Sequence, residues 1–316
     1  MIHCIGLNPA IDQTVTLDRL EPGAVVRARS VRQDPGGKAV NVASVLADWG
    51  MAATAHGLLG QDNAAVFQAL FAQKGITDRM IRVPGATRTN IKILEQDGRT
   101  TDVNLPGFDA DAAALDRVRA GLDVAQAGEL AVVSGSQPAA LPPEATAALI
   151  AALTARGARV VMDVSGAPLR AALASDTLPF AIKPNRHELE ELTGADLSDR
   201  ADLVGAARDL LARGIGLVVV SLGTEGALFL TADDAVQARP VALSTGSAVG
   251  AGDAMVAGLT AALAEKLPLP DLARQATGFS GAKLQNPGPH LPSRDAVRDL
   301  AAQVALIPLA DWITGA

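Results

Sequence analysis

Cysteine is almost absent from this sequence, in which Cys4 is the single one among 316 residues. An internal disulfide is therefore excluded, and so is a zinc site built on cysteine pairs. The four histidines show no metal-ligand spacing, and we interpret them as structural or surface residues. This composition is typical of a protein in a reducing compartment, so we expect a cytoplasmic location.

Excess positive charge and long apolar runs are also missing. The formal net charge is −7 and no basic stripe is visible, so we expect neither nucleic acid nor an anionic membrane surface as a partner. The uncharged run 254–264 is shorter than the roughly 20 residues that span a bilayer. The first five residues lack the basic start and the longer apolar run of a signal peptide.

Several catalytic and nucleotide-binding motifs are absent as well. The sequence shows no Ser-His-Asp or Cys-His arrangement, which leaves phosphoryl transfer ahead of hydrolysis. No G-x-G-x-x-G follows the first predicted strand, which argues against a nucleotide-binding oxidoreductase. Gly37-Lys38 does not belong to a Walker A loop, because Ala39 follows it and Arg32 stands where the leading glycine should be.

The sequence is rich in apolar residues, and its predicted strands and helices follow one another in regular alternation. Apolar residues make up 49% of it and charged residues 19%, as in folded chains with many buried elements. Predicted strands and helices alternate, which indicates a doubly wound α/β fold with a mostly parallel sheet and helices on both faces. We interpret residues 1–316 as one such domain. The clearest predictions are strands at 2–7, 53–59, 130–133, 159–162 and 217–221, and helices at 63–74 and 111–127.

Two segments, at about 13–33 and 87–107, break this rhythm with alternating patterns typical of short strands. In the first, the alternation continues through Val25 and Val26. In the second, Asp97-Gly98 separates two alternating runs, which is a strong hairpin signal. Together the segments predict a small β-sheet lid. The polar residues that recur at period two on one face of the hairpin are Arg88, Asn90 and Lys92.

The segment Gly250-Ala251-Gly252-Asp253 begins an apolar helix. The first N–H groups of a helix have no partner inside it, and with the helix dipole they form a site for an anion. An acid at the same place suggests phosphoryl transfer, in which backbone amides hold the moving group and the carboxylate of Asp253 accepts a hydroxyl proton. The alternative is an aspartate that merely caps the helix.

Polar residues collect at the predicted carboxyl ends of the strands, which is where open α/β sheets bind their ligands. Asp12 follows the first strand and its turn. The corresponding residues after later strands are Ser134-Gly135-Ser136, Asp163, Lys183-Pro184-Asn185 and Ser221-Leu222-Gly223.

Along essentially its whole length the sequence resembles the PfkB branch of the ribokinase-like sugar kinases. The motifs that carry the resemblance occur in family order and are Leu7-Asn8-Pro9-Ala10-Ile11-Asp12, Gly36-Gly37-Lys38 with Asn41, Thr87-Arg88-Thr89-Asn90, Ser134-Gly135-Ser136, Lys183-Pro184-Asn185 with Glu188, Ser221-Leu222-Gly223 and Gly250-Ala251-Gly252-Asp253.

The resemblance implies that ATP and Mg²⁺ serve to phosphorylate a sugar phosphate. Fructose 1-phosphate is the expected acceptor, and tagatose 6-phosphate and fructose 6-phosphate are the alternatives. The lid itself, rather than the resemblance, predicts a homodimer joined through the lids, because about four short strands are too small a sheet to be stable with an apolar face in water. A hypothesis of a different class is a sugar-phosphate sensor that has kept the fold and lost the chemistry. Asp253 argues against a sensor, which has no need of a base.

The resemblance assigns roles to individual residues. It implies that Asp253 is the base and that the amides of Gly250, Ala251 and Gly252 form the anion hole. Residues implied for the sugar phosphate are Asp12, Gly37, Lys38, Asn41, Arg88, Asn90, Asn104 and Ser136, with Arg27 reaching it from a neighbouring lid. Residues implied for ATP are Lys183, Asn185, Ser221, Gly223 and Gly226, with Glu188 for the metal ion. The sequence departs from the family pattern at Ala39, at Ala140 and at 245–248.

Overall fold

The computed structural model describes residues 1–240, 250–285 and 290–315. Within these ranges it contains a large sheet of ten strands and a small sheet of four. The strands are β1 Ile2–Gly6, β2 Ala10–Leu17, β3 Ser30–Gly36, β4 Ala53–Gly60, β5 Thr77–Val83, β6 Arg88–Glu95, β7 Thr100–Asn104, β8 Leu130–Ser134, β9 Arg159–Asp163, β10 Ala181–Ile182, β11 Leu217–Ser221, β12 Ala227–Leu230, β13 Ala235–Arg239 and β14 Ala305–Pro308. The helices are α1 Lys38–Asp48, α2 Ala65–Lys74, α3 Ala112–Gly121, α4 Ala145–Thr154, α5 Gly166–Ala174, α6 Arg186–Thr193, α7 Arg200–Ala212, α8 Ala251–Ala264, α9 Leu269–Leu284, α10 Arg294–Ala302 and α11 Leu309–Thr314.

The large sheet has the order β14-β13-β12-β11-β10-β9-β8-β1-β4-β5. The strands from β11 to β5 are parallel to their neighbours, and β12, β13 and β14 add an antiparallel edge. Strands β8, β9 and β11 are rich in buried valine, as is typical of parallel strands covered on both faces. Strand β1 lies between β4 and β8, so the strand order reverses beside it.

Helices cover both faces of the large sheet. One apolar cluster packs α1, α2, α8, α9 and α10 on one face, with Phe67, Phe71 and Phe279 fully buried. The other cluster packs α3, α4, α5, α6, α7 and α11 on the opposite face, where Trp312 is almost completely buried. The predicted fold class, a doubly wound and mostly parallel sheet with a separate small sheet, is confirmed.

The small sheet has the order β3-β2-β6-β7. Strands β2 and β3 are antiparallel, β2 and β6 are parallel, and β6 and β7 form the predicted hairpin. Gly98 in the hairpin turn has φ +88°, a left-handed conformation that glycine adopts without steric cost.

Two predictions about local structure were wrong. Val25, Val26 and Arg27 lie in a loop, because β2 ends at Leu17 and β3 begins only at Ser30. The segment that carries this alternating pattern is a loop that faces solvent, and the side chain of Val25 in it is 95% exposed. The helix predicted at 111–127 also ends earlier, at Gly121, and continues only as a short 3₁₀ turn to Val124.

Candidate active site

A cavity of about 270 Å³ lies at the carboxyl end of β1, where the strand order reverses. Neighbouring strands continue the chain in opposite directions at such a point, which leaves a crevice between their loops. The polar side of the cavity is formed by residues from both sheets, from helices α1 and α8 and from the loops after β1, β8 and β9. They are Asn8, Asp12, Lys38, Asn41, Arg88, Asn90, Ser134, Ser136, Ser165 and Asp253.

Gly37 allows helix α1 to begin at the cavity wall. Its φ is +93°, and a Cβ atom on it would lie 2.7 Å from Cα of Pro9. A side chain at this position would therefore collide with the backbone after β1. The glycine brings the first turn of α1, with Lys38 and Asn41, close to the carboxyl end of β1.

A buried carboxylate joins two lysines from separate parts of the chain. Lys38 Nζ lies 3.1 Å from Asp163 Oδ2, and Lys183 Nζ lies 3.1 Å from Asp163 Oδ1. Burial raises the pKa of Asp163, but the nearby charges and hydrogen bonds of Lys183 and Lys38 outweigh it and hold that pKa below its usual value. The cluster therefore carries a net positive charge beside the cavity.

Asp253 occupies the third position of α8 and is 7% exposed. Asn41 donates a hydrogen bond of 2.7 Å to its Oδ2 atom. Burial raises the pKa of Asp253 to about 6, although the Asn41 hydrogen bond and the charges of Lys38 and Lys183 lower it. A carboxylate with a pKa near neutrality can accept a proton at physiological pH, as a general base must.

The side of the cavity formed by the small sheet carries polar atoms that need partners. Asn90 donates to Asp12 Oδ1 at 3.0 Å, and Arg88 donates to the carbonyl oxygen of Asn8 at 3.5 Å. Burial raises the pKa of the Asp12 carboxyl. Within the described part of the chain, Arg88 Nε, Asn8 Oδ1 and Asn90 Oδ1 are buried without a hydrogen-bond partner. Buried polar atoms in native proteins are nearly always paired, so this side fits a polar ligand.

The loops after β10 and β11 lie next to each other, farther along the same edge of the large sheet. Asn185 caps α6 by accepting from the amide of Glu188 at 2.8 Å, and Glu188 Oε2 accepts from the amide of Asn185 at 2.9 Å. Asn185 and Ser221 pair across the two loops, and Ser221 donates its amide to the carbonyl oxygen of Pro184. Gly226 has φ +88°, and a Cβ atom on it would lie 2.0 Å from the carbonyl oxygen of Ala238.

Residues 2–296 match the sequence profile of the pfkB family carbohydrate kinases. The chain belongs to this family. It is therefore a carbohydrate kinase, and the resemblance seen in the sequence is confirmed.

Among PfkB-family relatives, the chain is 54% identical over 307 residues to a 1-phosphofructokinase of Xanthomonas campestris pv. campestris, with 96% of each chain covered. It is 46% identical to a 1-phosphofructokinase of Rhodobacter capsulatus, with 96% of this chain and 97% of that one covered. The crystal structure of phosphofructokinase-2 from Escherichia coli in complex with substrates and products superimposes with a TM-score of 0.89, at 30% identity, over 95% of this chain and 98% of that one.

Eight residues predicted for catalysis or sugar-phosphate binding in this PfkB kinase line the cavity. They are Asp12, Gly37, Lys38, Asn41, Arg88, Asn90, Ser136 and Asp253. Lys183 reaches them through Asp163, and Gly252 lies beside Lys183. Asn104 pairs with Asn90 in the small sheet but is exposed, and Arg27 is exposed in the β2–β3 loop. The motif departure at 245–248 lies outside the described residues.

Sequence reasoning gave no role to three residues that the fold places at this PfkB site. Asp163 is the last residue of β9 and was noted for its position alone, whereas its contacts with two lysines depend on the tertiary structure. Asn8 donates to Ser136 Oγ at 3.2 Å. Lys283 on α9 is buried beside Gly250 and had no local signal at all.

The described ranges 1–240, 250–285 and 290–315 contain no group of three or more His, Cys, Asp or Glu side chains that could hold a metal ion by themselves. Mg²⁺ in phosphoryl-transfer enzymes is commonly bound by one or two carboxylates together with substrate phosphates and water. Glu188, whose Oε2 atom caps α6, is compatible with that mode through its other oxygen. No helix in the same ranges is long and apolar enough to cross a membrane.

Proposed function

We propose that this PfkB-family kinase transfers the γ-phosphoryl group of ATP to the free primary hydroxyl of fructose 1-phosphate, with fructose 1,6-bisphosphate and ADP as products. The relatives at 54% and 46% identity, both named 1-phosphofructokinase, support this acceptor. The observation that carries the proposal is the cavity itself. It has a buried carboxylate with a raised pKa on one side, and an arginine with an unpaired buried nitrogen on the other.

Asp253 acts as the general base in this proposal. Asn41 donates to Oδ2 of the carboxylate, which leaves Oδ1 to face the acceptor hydroxyl. In the transfer the O–H bond of the sugar breaks and its proton goes to Asp253. The sugar oxygen forms a bond to the γ-phosphorus as the bond to the bridging oxygen of ADP breaks. The amides of Gly250, Ala251 and Gly252 hold the moving phosphoryl group at the start of α8.

The sugar phosphate is held mainly by the small sheet and the start of α1. Arg88 and Lys38 pair with the phosphate already on the sugar, since a guanidinium and an ammonium both bind phosphate oxygens well. Asp12 accepts from a sugar hydroxyl. The other groups in this role are Gly37, Asn41, Asn90, Asn104 and Ser136.

ATP is held by the loops after β10 and β11 in this proposal, through Lys183, Asn185, Ser221, Gly223 and Gly226. Glu188 holds Mg²⁺, which when bound with the nucleotide neutralises charge on its phosphates. Lys183 lies between the two halves of the site, because Asp163 connects it to Lys38.

The working unit in this proposal is a homodimer joined through the small sheets. The register of the small sheet puts Val15, Val31, Ile91, Ile93 and Val103 on the face opposite Asp12 and Asn90. Val31 and Val103 are 56% and 43% exposed in the single chain. The same face of a second subunit is a self-complementary cover, of the kind two-fold symmetry produces. The exposed β2–β3 loop then brings Arg27 toward the neighbour's sugar phosphate.

An assay of ADP release with a panel of acceptors tests the activity. We expect the highest kcat/KM for fructose 1-phosphate, lower values for fructose 6-phosphate and tagatose 6-phosphate, and a very low value for unphosphorylated fructose. A higher kcat/KM for either other ketose phosphate would reassign the acceptor. Binding of fructose 1-phosphate without any release of ADP would instead indicate a sensor.

A further inference from the structure

A tight turn at 223–226, between β11 and β12, belongs to the site proposed for ATP, and we call it the nucleotide turn. Its first three residues, Gly223–Glu225, form a short 3₁₀ helix and are exposed. Its last residue lies directly against β13, because a Cβ atom on Gly226 would lie 2.0 Å from the carbonyl oxygen of Ala238. One side of the turn is therefore open to a ligand, and the other side rests on a strand of the large sheet.

Gln237 of β13 holds the nucleotide turn by a side-chain hydrogen bond. Its Nε2 atom donates to the carbonyl oxygen of Glu225 at 2.5 Å. Gln237 is completely buried, and its chain neighbours Val236 and Ala238 pack in the apolar cluster on the opposite face of the sheet. Gln237 therefore reaches the turn from inside the protein, from a fixed position in the sheet.

A glutamine at this position is unfavourable for stability alone. Its partners in the neighbouring strands, Leu228 and Ile307, pack in the apolar cluster that includes α7 and α11. Within the described part of the chain, Gln237 Oε1 is buried without a hydrogen-bond partner. A buried amide oxygen without a partner costs free energy, which an apolar side chain of similar size would avoid. What an apolar side chain could not supply is the donor to the nucleotide turn.

Arg200 at the start of α7 provides a second contact with the same turn. Its Nη2 atom lies 3.7 Å from Glu225 Oε2. Its Nη1 atom donates to the carbonyl oxygen of Trp312 at 2.6 Å, and its guanidinium carbon lies 4.9 Å from the centre of the Trp312 ring. Helix α11 thus orients Arg200 toward the carboxylate of Glu225, while Gln237 holds the carbonyl group of the same residue.

We propose that Gln237 is a positioning residue for ATP, which holds the nucleotide turn in the shape that its contacts with the nucleotide require. It acts through Glu225. A loop that is already held in its bound shape has less conformational freedom to lose when the ligand binds, so the affinity rises without a new contact. The ion pair of Arg200 supports the same shape more weakly, because both of its side chains are partly exposed. This inference rests on the proposed kinase activity and deepens its ATP site.

Substitution of Gln237→Met removes the donor and keeps a side chain of similar length. We expect KM for ATP to rise about tenfold, which is the size of effect that one net hydrogen bond gives, while kcat and KM for fructose 1-phosphate stay within about threefold of the parent values. The matched control is Gln303→Met, which makes the same change at an exposed glutamine just after α10 and should leave all three constants unchanged.

The stability of the ligand-free protein separates this role from a structural one. The melting temperature of Gln237→Met should not fall, because the change removes a buried unpaired oxygen and the exposed turn can bind water instead. Calorimetric titration should at the same time show about tenfold weaker binding of ADP and unchanged binding of fructose 1-phosphate. A structural role predicts a lower melting temperature and weaker binding of both ligands, and that result would overturn the proposal.

Arg200→Met tests the second contact. It should raise KM for ATP by about threefold, less than Gln237→Met does, because a partly exposed ion pair contributes little. Arg208→Met removes an exposed arginine of the same helix and should leave KM for ATP unchanged. A larger rise in KM for ATP from Arg200→Met than from Gln237→Met would show that the ion pair holds the turn, and would overturn the assignment to Gln237.

Failure of this proposal and failure of the proposed activity give different results. A parent enzyme that binds no ADP and releases none from ATP would refute the kinase activity. An active parent, together with an unchanged KM for ATP in Gln237→Met, would reject only the role of Gln237. If Gln237→Met does not fold, Gln237→Leu is used in the same titration, and equal affinity of this variant and the parent for ADP would reject the role.

Discussion

The two sheets of this protein differ in how completely one chain covers them. Strand β4 of the large sheet is buried at all eight positions, whereas β6 of the small sheet is buried at one of its eight, and β7 is exposed throughout. Helices pack on both faces of the large sheet, while the small sheet has a polar face toward the cavity and an apolar face toward solvent. One chain therefore covers both faces of the large sheet, whereas it leaves the polar face of the small sheet open to a ligand and the apolar face open to the partner proposed above.

The division extends to the chemistry. The groups proposed to react, Asp253 and the Gly250–Gly252 amides, belong to a helix packed on the large sheet. The groups proposed to recognise the sugar phosphate, Arg88, Asn90 and Asp12, lie on the small sheet. Changes on the large sheet should therefore alter kcat, and changes on the small sheet should alter substrate binding.

The largest effect is expected from Asp253→Asn. The variant keeps the shape of the side chain and its contact with Asn41, but it cannot accept a proton, so kcat should fall by about 10² to 10⁴-fold with little change in ATP affinity. Asp271→Asn is a matched control, because Asp271 is exposed in the first turn of α9. Steady-state ADP release measures both variants. A turnover near that of the parent would remove Asp253 from the role of base.

Arg88→Ala should give the next largest effect. Loss of the guanidinium group from a desolvated phosphate site should cost about 2 to 5 kcal/mol in kcat/KM for fructose 1-phosphate, mostly through KM. Arg99→Ala on the same hairpin is the control, since Arg99 pairs with Glu95 and Asp97 away from the cavity. If Arg88→Ala lowers kcat and leaves KM unchanged, the proposed division, in which the small sheet governs substrate binding and the large sheet governs kcat, is wrong.

Ile93→Asp tests the apolar face of the small sheet. Light scattering of the parent should report a mass near twice 32.2 kDa, and a charge on this face should dissociate that species and weaken sugar-phosphate binding. Thr100→Asp places the same charge on the opposite face of the hairpin and should leave the mass unchanged. A fully active parent monomer at micromolar concentration would show that this face has another cover.

The smallest expected effect is a gain of stability in Asp253→Asn. Between pH 4 and pH 6 the folded protein keeps a proton on Asp253 that the unfolded chain has lost, because burial raises the pKa to about 6 in the fold. The free energy of unfolding therefore decreases as pH rises through this window. The Asn variant does not lose this stability as pH rises, because its side chain does not titrate. Urea unfolding should therefore show the variant to be more stable than the parent by up to about 3 kcal/mol at pH 8, and by much less at pH 4.5. If the variant and the parent differed in free energy of unfolding by the same amount at both pH values, the raised pKa of the buried Asp253 would be contradicted.

Much of the large sheet could be predicted from the sequence, because its strands are short apolar runs that end at turn residues or polar groups. The antiparallel edge could not, since β12, β13 and β14 are brief and β14 pairs with β13 from about 70 positions away. In the loop at Val25 and Val26, alternation of residue types resembled a strand although no neighbouring strand pairs with it in the described structure.

The candidate site was predictable where one motif carries the function. Asp253 and the glycines before it predict the start of a helix, and Lys38 and Asn41 belong to one turn of a helix. Asp163 and Lys283, to which sequence reasoning gave no role, come near the site only in the tertiary structure. Asp163 contacts Lys38 from 125 positions away, and Lys283 lies beside Gly250 although it belongs to α9. Their local sequences are those of an ordinary strand end and an ordinary helix.

The central position of β1 also constrains how the protein forms during its synthesis. One edge of β1 pairs with β4, which ends at Gly60, but its other edge pairs with β8, which begins only at Leu130. At roughly 5 to 20 residues per second, the ribosome needs about 10 s to deliver β8 after β1. For that time the nascent chain carries an apolar strand with an open edge, which is the type of surface that aggregates or recruits a chaperone.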